Sequence, residues 1–116
     1  MESAVLTQAQ AERLIKQDFD AIIANSPKSI SAKYACRKLA GRNLDSGQWA
    51  DAALYFELLW LNFPDEPGTA DIVYDLGKVY EQMGKISLAV AVYEQYLQGH
   101  SSARIQQELE RLRAML

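Results

Sequence analysis

The sequence predicts an all-α fold of stacked antiparallel helix hairpins, a solenoid of about six helices. Three observations predict it. Apolar residues recur at i, i+3, i+4 and i+7 through most of the 116-residue chain, the spacing of amphipathic helices. The three prolines and most of the six glycines fall between these periodic stretches. The middle of the chain also repeats itself after 37 positions.

The first element is a helix over 7–25. Thr7 and Gln10 have the spacing of a capping box, and Leu14, Ile15, Phe19, Ile22 and Ile23 form one apolar stripe. Pro27 and the serines around it separate this helix from the next. It does not match the repeat and reads as an N-terminal packing helix.

Two copies of a helix hairpin follow. At a shift of 37, Leu39 meets Leu76, Ala40 meets Gly77, Asn43 meets Tyr80 and Gly47 meets Gly84. Ala52 then meets Ala89, Phe56 meets Tyr93 and Trp60 meets Leu97. In the second copy Val73, Leu76, Gly77 and Tyr80 make one helical stripe. Gly84 ends that helix, and Leu88, Ala89, Val92, Tyr93 and Tyr96 make the next stripe. The first copy has Cys36, Leu39, Ala40 and Asn43, then Gly47, then Ala52, Ala53, Phe56, Leu59 and Trp60. Pro64 and Pro67 close it. Close helix approach is expected where Ala40 or Gly77 faces Ala52 or Ala89, with Tyr80 and Tyr93 filling the gaps beside them. A lone hairpin cannot bury its apolar face, so the copies must stack.

The order Leu, Gly or Ala, Tyr, Gly, Ala, aromatic, Pro resembles the tetratricopeptide repeat. Leu76, Gly77, Tyr80, Gly84, Ala89 and Tyr93 carry the resemblance in the second copy. Leu39, Ala40, Gly47, Ala52, Phe56 and Pro64 carry it in the first. The copies span 33–66 and 70–103, with Pro67–Thr69 inserted between them, inside a single domain over 1–116. Departures are Val73 and Cys36 in place of the initial aromatic, Asn43 in place of Tyr, and His100 near where a closing Pro would stand. The resemblance implies a fold and a binding role without naming a partner.

A last helix over 101–116 starts at Ser101 or Ser102 and carries Ile105, Leu109, Leu112 and Leu116 on one face. Arg104 and Glu108 have i, i+4 spacing, and Glu110, Arg111 and Arg113 keep its other faces polar. Repeat stacks need such an end piece to cover an open apolar face.

Composition narrows the function. Net charge is −3 and the longest apolar run lies around Leu88–Tyr93, so neither nucleic-acid binding nor membrane insertion is expected. With one cysteine, Cys36, and no signal-peptide pattern at the start, the expected location is cytoplasmic. No catalytic site, cofactor or metal is expected. Cys36 sits in an apolar stripe, His100 is the only histidine, and no glycine-rich phosphate loop is present. Asp71 and Asp75 lie on one helix face at i, i+4 without a third acid, which reads as surface.

Charge order points to binding. From Lys28 to Arg42 there are five bases and no acid, whereas Asp45–Glu81 holds eight acids and one base. On the helical wheel Tyr34, Arg37, Lys38, Gly41 and Asp45 oppose the packed face of the first copy. Asp71, Tyr74, Asp75, Lys78, Glu81 and Gln82 hold the equivalent ground in the second. In proteins resembling this family that face lines a concave groove, so the expectation is an adaptor gripping a peptide or helix of a protein partner. The candidate groove residues are Tyr34, Arg37, Lys38, Asp71, Tyr74, Asp75, Lys78 and Glu81. Asp71 and Asp75 argue against a clamp for a chaperone's terminal carboxylate. Two alternatives stand beside the adaptor. One is a small acidic chaperone resembling those that hold type III translocator proteins. The other is a homo-oligomeric scaffold, with a homodimer closed through the Trp49/Trp60 region or the end helices.

Overall fold

The repeat written in the sequence recurs in the backbone. The computed structural model describes residues 8–116, which form α1 (Gln8–Asn25), α2 (Ile30–Asp45), α3 (Trp49–Asn62), α4 (Thr69–Gln82), α5 (Ile86–Gly99) and α6 (Ala103–Arg113). No strand occurs among the described residues. Each helix packs antiparallel on the one before it, and α6 also reaches back to α4. The result is elongated, with extents of 63 × 28 × 18 Å.

The two hairpins keep the 37-residue register. Helices α3 and α5 begin and end 37 residues apart, as do the ends of α2 and α4. Gly47 and Gly84 both take φ +73°. Just beyond them the Gln48 amide donates to the Asn43 carbonyl at 2.8 Å, and the Lys85 amide to Tyr80 at 2.9 Å. One device therefore stops the first helix of each hairpin, a left-handed glycine that lets the chain bond back to orphan carbonyls. Burial repeats as well. Cys36, Leu39, Ala40, Ala52, Phe56 and Leu59 match Val73, Leu76, Gly77, Ala89, Tyr93 and Tyr96, all of them buried.

At the close approach of α4 and α5, Tyr93 fills the space that the small residue leaves. A Cβ on Gly77 would run into the Tyr93 ring. Tyr93 reaches past that bare backbone and donates its hydroxyl to the Tyr74 carbonyl at 3.0 Å. Burial pushes this hydroxyl above the ordinary tyrosine range. The small residue thus makes room for a large one.

Caps fix the remaining joints. Ser29 accepts from the Ala32 amide at 3.0 Å and starts α2. Ser102 accepts from Ile105 at 3.2 Å and starts α6. Buried Thr69 donates to the Phe63 carbonyl and accepts from the Glu66 amide, which pins the turn carrying Pro64 and Pro67.

Both end helices depart from expectation. Thr7, half of the anticipated capping box, lies outside the described residues. Of the expected α1 stripe Ile23 is buried and Phe19 and Ile22 are partly so, whereas Leu14 and Ile15 are exposed, since no other described helix covers the far side of α1. Asp20, paired with Lys16 at 2.6 Å within α1, ties α1 to α3 by accepting from the Tyr55 hydroxyl at 2.7 Å. At the other end Ile105, Leu109 and Leu112 are buried, but α6 stops at Arg113 and Leu116 is exposed.

Candidate protein-binding face

The eight residues expected to line a groove divide into an open set on α2 and an engaged set on α4. On α2, Ile30, Tyr34, Arg37, Lys38 and Gly41 follow one another at helical spacing opposite buried Ala32, Cys36 and Leu39. Tyr34 is 55% exposed and Ile30 87%. The Tyr34 ring meets Phe19 of α1 edge-on at 6.1 Å, and the Lys38 ammonium lies 5.5 Å from its centre. Tyr34 thus has a neighbour on one edge and over one face, while more than half of its surface stays open. Arg37 lies beside Gly68 at the start of α4, where a Cβ would stand 3.7 Å from Nη2. Among the described residues Lys28, Arg37 and Lys38 form no ion pair. Lys33, by contrast, is paired with Glu66.

The α4 residues turn to α6. Arg104 pairs with Asp71 at 2.5 Å and sets its guanidinium 4.0 Å from the Tyr74 ring centre. Lys78 pairs with Glu108 at 2.9 Å, and Arg111 holds both Glu81 oxygens at 2.7 and 2.9 Å. An acid, base, acid order on α4 thus meets base, acid, base on α6. Burial alone would raise the Glu108 carboxyl, but hydrogen bonds from Lys78 and Arg111 outweigh it and hold it below its ordinary value. Arg111 is held protonated by its bonds to Glu81 and Glu108. Asp75 is different. It is partly buried, and desolvation raises its carboxyl, opposed by Arg104 and aided by Asp71.

The i, i+4 pairing of Arg104 with Glu108 is replaced by these cross-helix pairs. They join residues 30 and 33 positions apart, which helical spacing alone does not reveal. The one available signal was the mirror order of charges on the two segments. Ile30, which extends the α2 stripe by one turn, was also missed because the repeat was begun at residue 33.

The remaining reactive side chains are occupied. Cys36 is 2% exposed, and burial, then the charge of Asp20, pushes its thiol up to about 11. His100 stacks on Tyr96 at 4.5 Å and meets Asp65 at 3.0 Å, fastening the end of α5 to the α3–α4 turn. Among the described residues no group of three or more His, Cys, Asp or Glu is placed to hold a metal ion, and no helix is long and apolar enough to cross a membrane. An open hollow of about 610 Å³ between α1 and the α2–α3 turn is lined by Arg13, Lys16 and Arg42, away from Tyr34.

Exposed apolar surface is also found on α3. Leu54 is 48% and Leu61 74% exposed, beside half-buried Leu58 and Trp60. Neither α1 nor any other described helix shields these two leucines.

Comparison with family models, with curated proteins and with solved structures finds no match to this chain.

Proposed function

We propose that this chain is a protein–protein interaction module of the tetratricopeptide-repeat type, and that it holds a peptide or helix of its partner on the exposed face of α2. One observation carries the reading. On the outer face of α4, Asp71, Lys78 and Glu81 are paired within the molecule by α6, whereas on the corresponding face of α2 Arg37 and Lys38 have no ion-pair partner among the described residues. Exposed Tyr34 beside them, braced on one edge by Phe19, has the amphipathic character of an interface anchor. No bond is made or broken at such a face. The module acts by bringing its partner to a place.

The test is a pull-down from source-organism lysate with wild-type protein and an Arg37→Glu/Lys38→Glu variant, with helicity checked by circular dichroism. The expected outcome is a partner held by wild type and lost by a folded variant. A partner retained equally by both would refute the α2 site.

A second reading, self-association, draws on the exposed Leu54 and Leu61 of α3. Light scattering at high concentration tests it directly, since a monomer would remove it.

A further inference from the structure

We infer that the segment held by the α2 face is an acidic amphipathic helix. Its apolar side lies on Ile30 and Tyr34, and its carboxylates lie on Arg37 and Lys38. This inference rests on the reading of α2 as the docking face and adds the chemistry of the occupant.

The stripe itself sets the size. Ile30 to Gly41 covers about three helical turns, or roughly 16 Å. Its first half is apolar and its second half cationic, so a complementary segment needs apolar side chains one or two turns away from its acids. Side chains at i and i+4 of a helix meet that spacing.

The molecule contains its own example of such docking. At a shift of 37, Tyr34, Arg37, Lys38 and Gly41 correspond to Asp71, Tyr74, Asp75 and Lys78 of α4. There α6 supplies opposite charges to Asp71 and Lys78 and a guanidinium to the tyrosine ring. On α2 the open charges are both positive, so the matching occupant is acidic.

Gly41 gives an independent indication. A glycine inside a helix costs about 1 kcal/mol relative to alanine. At Gly77 the fold needs that glycine, because Tyr93 occupies the space of a Cβ. Among the described residues a Cβ at Gly41 would meet nothing within 4 Å, so their packing does not require the glycine. A bare backbone on the same stripe as Tyr34 and Lys38 lets another chain approach closely. An occupant made of nucleic acid would also bring negative charge. The chain's net charge of −3, with eight acids over Asp45–Glu81, opposes an extended polyanion while leaving a local basic stripe for a short acidic helix.

The experiment displays random peptides of about five helical turns, selects them on the full chain, and reads the sequences of binders. Fluorescence anisotropy then measures the selected peptides, and a single-stranded oligonucleotide of similar length, against wild type, Arg37→Glu/Lys38→Glu, Tyr34→Ala and Gly41→Leu. Binders are expected to be net negative, with apolar residues at i and i+4. Affinity should fall at least about tenfold in the charge-reversed variant and weaken with added salt. Gly41→Leu should stay folded and lose the peptide. Binders that are neutral or basic yet depend on Tyr34 and Gly41 would overturn the acidic occupant and keep the α2 face. Binders indifferent to all three variants, or no binders, would overturn the face as well. Tighter binding of the oligonucleotide than of any peptide would replace the helix by nucleic acid.

Discussion

Replacing Gly77 by alanine places a methyl group in the space held by the Tyr93 ring. Three contributions decide the outcome. Forcing a carbon into a packed contact costs about 1–3 kcal/mol. Displacing the ring breaks the hydrogen bond from Tyr93 to the Tyr74 carbonyl, worth about 1 kcal/mol. Alanine returns about 1 kcal/mol through helix propensity. The net expectation is a loss of about 1–3 kcal/mol, or roughly 4–12 °C in Tm for a chain of this size. Urea unfolding followed by circular dichroism measures it, with Gly41→Ala as the matched control. That control gains the same propensity in open space and should be more stable by up to about 1 kcal/mol. The double variant Gly77→Ala/Tyr93→Phe copies the Ala40 and Phe56 of the first hairpin, and should recover part of the loss as a coupling of about 0.5–1 kcal/mol. If Gly77→Ala were as stable as Gly41→Ala, the packing argument at the α4–α5 contact would be wrong.

Cys36, with its buried thiol, should resist a thiol reagent at pH 8 and react only after urea unfolding; rapid labelling of the native protein would contradict its place in the core. Glu108 has a lowered folded value, so its contribution is fully present above its unfolded value near 4.5 and is lost as pH falls through the folded one. Glu108→Gln should therefore destabilise the protein at pH 7 and much less at pH 3, as read from Tm against pH. Asp75 has the opposite sign, since its raised value makes the ionised form a cost that disappears as pH falls through the folded value. Asp75→Asn should raise stability at pH 7 and change it little at low pH, as read from Tm against pH, and a loss of stability at pH 7 would mean that the carboxylate has a partner.

The hairpins were legible in the sequence because their cause is local. Gly47 and Gly84 both need a left-handed backbone, and buried residues recur at one spacing, so a single shift of 37 aligned turns and core together. The end helices were less legible. Periodicity told which residues of α1 share a face, but not that only part of that face would find a neighbour, and so Leu14 and Ile15 emerged exposed. The candidate face was half legible. Tyr34, Arg37 and Lys38 lie open, as the helical wheel placed them. Asp71, Tyr74, Lys78 and Glu81 were placed on the right side of α4, yet their engagement depends on where α6 comes to rest. That position follows from burial of Ile105, Leu109 and Leu112, a tertiary event without a local spacing rule. The bond from Tyr55 to Asp20 was hidden for the same reason.

The central claim is that the partner sits on α2. The most direct measurement is photo-crosslinking with benzoylphenylalanine in place of Tyr34, and separately in place of Leu61, in source-organism lysate, followed by mass spectrometry of the products. The account expects a partner protein crosslinked from position 34, through an acidic segment, and none from position 61. Crosslinks from position 61 alone would contradict it and move the interface to α3, and a second copy of the chain captured there would favour self-association.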